Sequence, residues 1–113
     1  MSQYAHGFRA WIVQRLSALY LLLFSVISIV WFFNSPKISF EFWITTFQSP
    51  LTIILVALFF IAVFIHAWVG IRDIIIDYIN PYIIRLTVLV LILLFLFALG
   101  AWVVLILISV YVR

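Results

Sequence analysis

Cysteine is absent from the 113 residues. That excludes disulfides, a thiolate nucleophile and any iron–sulfur cluster held by the chain's own cysteines. Charge is scarce as well. Asp, Glu, Lys and Arg together make 8% of the chain, too little for a soluble domain of this length. The six basic residues are scattered and leave a formal net charge of +3, so without a basic run nucleic-acid binding has no support. Proline and glycine number three each, which leaves few points at which a helix must stop.

What is present is apolar. Hydrophobic residues make 70% of the chain and aromatics 19%, with a mean hydropathy of +1.45. This is the composition of an all-α integral membrane protein, for which the bilayer serves as solvent and every backbone polar group must be satisfied inside a helix. Residues 1–9 read as a short polar arm, and the apolar run after it is too long for the core of a cleaved signal peptide. The first span is therefore expected to be retained. A single anchor domain over residues 1–113 is predicted, with three spans at about 10–33, 50–77 and 82–112.

Punctuation between the spans supports these limits. Asn34-Ser35-Pro36 stops the first helix, because proline lacks an N–H and disfavours a helical residue before it. Phe40, Trp43, Ile44 and Phe47 then recur at helical spacing, which predicts a short amphipathic helix in the interface. Ser49-Pro50 and Asn80-Pro81 each read as an N-cap followed by proline at the first helical position.

Polar residues gather in one stretch, from Phe64 to Tyr78. His66, Gly70, Asp73 and Asp77 lie at offsets of four, seven and eleven, which puts them on one helix face. Ionisable groups in a span normally face a bundle interior, so this face is expected to look inward. His66 fits either a hydrogen-bonded packing residue or an axial ligand to a planar haem, and Gly70 one turn away either leaves room for such a flat group or allows close helix packing. The other histidine, His6, precedes the first span, whereas His66 lies roughly 18 Å along the helix from Tyr78. The two are not expected to clamp one iron, so if haem is present a second subunit is expected to supply the other ligand.

Arg15 and Arg72 fall at similar depths in antiparallel helices and suit haem propionates, although Arg72 points away from the His66 face and Arg15 is the better candidate. Asp73 reads chiefly as a carboxylate neutralised by Arg72 or Arg85. Tyr78 can donate a hydrogen bond to a quinone carbonyl, and the adjacent Asp77 can orient donors or relay protons. Tyr78 also fits an aromatic-belt residue.

His66-x3-Gly70-x6-Asp77-Tyr78 in the second of three spans, with Arg15 in the first, resembles the small hydrophobic (D-type) anchor subunit of succinate dehydrogenase, over essentially the whole chain. The resemblance implies a cytochrome b subunit of respiratory complex II, one half of a heterodimeric haem-binding helix bundle. It implies His66 as one axial ligand of haem b, the other coming from a companion C-type anchor subunit. It also implies Tyr78 hydrogen-bonding ubiquinone in a pocket shared with that subunit and an iron–sulfur subunit, with a flavoprotein subunit completing the assembly. Arg9 stands where the resemblance leads one to expect a nearby histidine, so no role follows for the arm, for His6 or for Arg9. Two other classes stay open: a transporter or proton-pathway subunit relaying along His66, Asp73 and Asp77, and a purely structural anchor.

Arg9, Arg15, Arg72 and Arg85 flank the spans on one side against Lys37 and Arg113 on the other, which predicts a cytoplasmic N-terminus in a bacterial inner membrane. A topology reporter fused after Arg113 is expected to be active only on the non-cytoplasmic side. Cytoplasmic activity there would contradict the orientation.

Overall fold

The computed structural model describes residues 2–35 and 39–113, with side chains described from Gly7 onward. Pro36, Lys37 and the side chain of His6 lie outside the described residues, so the proline stop and the Lys37 charge are not part of the fold account. Four helices follow in order: α1 (Ser2–Asn34), α2 (Phe40–Gln48), α3 (Pro50–Tyr78) and α4 (Tyr82–Val112). No strand occurs among the described residues. Gly7–Asn34, Pro50–Tyr78 and Tyr82–Val112 are long and apolar enough to cross a membrane.

α1 begins at Ser2, so the arm expected ahead of the first span is a continuation of its helix. The physical reason is local: no proline interrupts residues 2–34, and Gly7 alone carries a marked helix penalty there. At its other end the side chains of Asn34 and Ser35 donate back to Val30 O (2.9 Å) and Trp31 O (2.7 Å), each four residues earlier in the last turns of the helix. Ser39 caps α2 by accepting from Phe42 N–H at 3.2 Å. The two proline signals hold in position but differ in detail. Pro50 opens α3 without a side-chain bond from Ser49, whose backbone N–H instead closes α2 on Thr46 O. At α4 the cap position is Pro81 itself, one residue after Asn80, and its carbonyl accepts from Arg85 N–H at 2.9 Å.

α3 sits between α1 and α4, whose backbones make no close approach to each other among the described residues. The three long helices thus form a row with two open faces. α1 and α3 run antiparallel in a heptad-like register: Ser17 meets His66, and seven residues further along each helix Phe24 stacks on Phe59 with ring centroids 4.6 Å apart. Tyr20 adds a hydrogen bond from its hydroxyl to Leu55 O at 2.9 Å. In lipid, helix association rests on such packing and hydrogen bonds, since the tails are as apolar as the side chains they replace.

At the connector end, Trp31 stacks on Phe42 (5.4 Å) and meets Trp43 edge-on (6.3 Å), which seats α2 against the end of α1. Gln48 Nε2 donates to Val110 O at 3.3 Å, and the Arg113 guanidinium lies 5.7 Å from the Phe40 ring, so the end of α4 joins the same cluster. Aromatic rings in this arrangement suit the headgroup level. The opposite end carries Tyr78, Tyr82 and Arg85 together with the start of α1, as antiparallel topology requires. Among the described residues only Ser17, Val69 and Ile75 are buried, two of them on α3. The chain encloses almost no core, and its apolar surface is left for lipid or other helices.

Gly70 marks the close approach of α1 to α3. A Cβ built there would lie 3.3 Å from Gln14 Nε2, the far end of a flexible side chain. Gly70→Ala is therefore expected to be nearly neutral, while Gly70→Leu is expected to cost about 1–3 kcal/mol by overpacking. Detergent-denaturation midpoints of the purified protein check this. Equal midpoints for the two variants would contradict the close contact.

Candidate functional site

The His66–Asp77 face is continuous on the helix, but α1 covers only part of it. His66 and Gly70 are partly buried against α1, whereas Asp73 and Asp77, one to two turns beyond, are exposed on this chain. The expected inward-looking face is thus met at His66 and Gly70, whereas no described residue covers Asp73 and Asp77. The difference follows from side-chain size, since Gly70 admits Gln14 of α1 where a larger residue would hold it off.

His66 Nδ1 lies 3.1 Å from Ser17 Oγ, and Ser17 is 8% exposed. His66 Nε2 makes no hydrogen bond among the described residues, and it is not an enclosed orphan atom. Nε2 is therefore at least partly accessible at the chain's surface. Gln14, one turn before Ser17 on α1, has the one enclosed side-chain polar atom without a partner among the described residues, Oε1. The space left at Gly70 is occupied by Gln14, so Gly70 serves helix approach rather than an open slot beside His66.

Toward the Tyr78 end a depression of about 460 Å³ opens between α1 and α3, bounded by Trp11 and Gln14 on one side and Arg72 and Asp73 on the other. Arg72 donates to Asp73 Oδ1 from Nε at 3.3 Å and from an Nη at 3.2 Å. This is the neutralisation expected for Asp73, and with the pair at 35% and 56% side-chain exposure it contributes little stability by itself. Arg15 is not in that pair. Its guanidinium lies 5.6 Å from the Trp11 ring. Arg72 lines the depression and Arg15 does not, although Trp11, which Arg15 contacts, does.

Tyr78 ends α3 and is 82% exposed, with its hydroxyl free of hydrogen bonds to described residues. Asp77 beside it is also exposed. No direct hydrogen bond links His66, Asp73 and Asp77 to one another among the described residues.

Sequence reasoning missed Ser17 and Gln14. Their signal was modest: two polar residues three apart in an apolar run, on one face of a helix. What made them matter, the opposing His66 and Gly70, depends on the register of α1 against α3, which no local pattern carries.

As a test of fit, the donor set suits one axial position of a haem iron. It offers one imidazole, engaged at Nδ1 and open at Nε2, and no group of three His, Asp or Glu residues that could hold a bare metal ion occurs among the described residues. Comparison with known proteins agrees with the architecture. Residues 1–100 match the family described as succinate dehydrogenase/fumarate reductase transmembrane subunit. The chain is also 32% identical over 80 residues to the succinate dehydrogenase hydrophobic membrane anchor subunit of Coxiella burnetii, an alignment that covers 71% of this chain and 70% of the relative. The chain belongs to the succinate dehydrogenase/fumarate reductase transmembrane subunit family.

Proposed function

We propose that this chain is the small membrane-anchor cytochrome b subunit of a succinate:quinone oxidoreductase, respiratory complex II, in a bacterial inner membrane with its N-terminus cytoplasmic. It carries no complete active site. It helps bind haem b and ubiquinone, so that electrons from succinate pass through a partner iron–sulfur subunit to the quinone pool. Its other partners are a flavoprotein subunit and a second, C-type anchor subunit. The observation that carries this reading is His66, held at Nδ1 by a neighbouring helix with Nε2 open at the surface of a chain of this family.

Haem b, when bound, supplies a low-spin one-electron centre. On this chain His66 would hold the haem through Nε2, together with a ligand from the companion subunit. Arg15, against Trp11, and Arg72, lining the depression between α1 and α3, would pair with the propionate carboxylates as planar, permanently charged forks. Arg72 must then divide its donors between Asp73 and the propionate, which makes Arg15 the freer of the two. The row of three helices with little enclosed core is consistent with one half of a larger bundle.

Tyr78 Oη donates a hydrogen bond to a quinone carbonyl, and the Asp77 carboxylate orients that donor and passes a proton toward it. Both residues stand exposed at the end of α3, where a soluble partner can cover them.

His66→Leu in the assembled complex is expected to abolish the low-spin bis-imidazole spectrum, read by optical and paramagnetic-resonance spectroscopy. An unchanged spectrum with normal haem content would remove His66 as ligand. Tyr78→Phe keeps the ring and removes a hydrogen bond of about 0.5–1.5 kcal/mol, so quinone reduction is expected to weaken in turnover or apparent affinity. Succinate oxidation by a soluble dye should continue. Unaltered quinone kinetics would make Tyr78 an interfacial belt residue.

A further inference from the structure

Ser17 is the one buried polar residue among those described, and an apolar span has no need of a hydroxyl at that place. A serine hydroxyl has one proton to give and lone pairs to receive with. Ser17 Oγ gives its proton to Gln14 O at 3.0 Å, the back-bond to the preceding turn that serine makes readily inside a helix. The same oxygen is 3.1 Å from His66 Nδ1. With its proton committed to Gln14 O, it meets His66 as an acceptor, so the ring hydrogen sits on Nδ1. A neutral imidazole then carries its lone pair on Nε2.

We propose that Ser17 is a positioning residue for His66: by accepting from Nδ1–H across the α1–α3 contact it fixes the ring's tautomer and rotation and presents Nε2 as the metal ligand. The inference rests on His66 being the haem ligand. It adds that both the ligand and the group that orients it lie within this one chain, on different helices. An acceptor on the far nitrogen also makes the imidazole a stronger donor to a metal, and loss of such a partner typically weakens metal binding 10- to 100-fold. Gly70 is part of the same arrangement, because its missing side chain leaves Gln14 room and lets α1 approach closely enough for Ser17 to reach the ring.

The test uses the whole assembled complex carrying Ser17→Ala, Ser17→Cys or Ser17→Thr, with haem retention on dilution, haem midpoint potential and low-spin resonance g-values as readouts. Ser17→Ala is expected to assemble with normal subunit composition, retain haem about tenfold less tightly and show a midpoint potential displaced upward, because a less basic imidazole stabilises the ferric state less. Ser17→Cys, close to serine in size and only a weak acceptor, is expected to shift in the same direction, and it carries the test if the alanine variant fails to assemble. Ser17→Thr keeps a hydroxyl able to make both bonds and is expected to restore the native values. Native retention, potential and g-values in Ser17→Ala or Ser17→Cys would overturn the assignment. Equal displacement by Ala and Thr would also overturn it, since the effect would then follow volume rather than the hydroxyl. His66→Leu is the control that separates the two levels. If it preserves the low-spin signal, the ligation itself is wrong; if it abolishes the signal while Ser17→Ala changes nothing, only the role of Ser17 falls.

Discussion

A side chain able to ionise cannot stand alone in a span, and the Ser17–His66 hydrogen bond is how this chain meets that constraint. The bond forces α1 and α3 into one register, and Gly70, one turn along α3, makes the approach sterically possible. The same register brings Phe24 onto Phe59 and Tyr20 within reach of Leu55 O. A one-residue slip of either helix would rotate each of these partners by about 100° and leave the imidazole facing hydrocarbon. Register, tautomer and the direction of Nε2 are therefore a single specification.

The second constraint is incompleteness. α1, α3 and α4 stand in a row rather than a closed bundle, so apolar residues such as Phe97 and Leu105 face outward, and so do Asp77 and Tyr78. Lipid satisfies the first kind of surface but not the second. A carboxylate and a phenol at the end of a span gain their meaning from what covers them. In the proposed assembly a soluble partner brings reducing equivalents to that end, while the second anchor subunit completes the coordination of the iron.

The helices were legible because their signals are local. Three long apolar runs, the helical spacing of Phe40, Trp43, Ile44 and Phe47, and Pro50 and Pro81 within a residue of the helix starts locate the elements without tertiary information. The continuation of α1 back to Ser2 was not legible, since a polar arm and the first turns of a helix share the same composition. Within the site, His66, Arg15, Arg72, Asp77 and Tyr78 stand out as polar residues in or at the end of an apolar run, and the Arg72–Asp73 pair follows from adjacency. Ser17 and Gln14 could not be valued in the same way. Serine and glutamine are ordinary in a membrane helix, and only the pairing of α1 with α3 reveals that one faces the imidazole and the other the gap at Gly70. Gly70 was open to two uses in the sequence, room for a flat group or close helix packing, and the approach of Gln14 fits the second.

The central claim is that this chain contributes one of two protein ligands to a haem in a complex. The most direct measurement is a reduced-minus-oxidised absorption spectrum of the purified native assembly, with haem and subunits quantified together. The account predicts a low-spin b-type band at one haem per copy of this chain. A pure assembly containing the chain in full amount but lacking that band would contradict it.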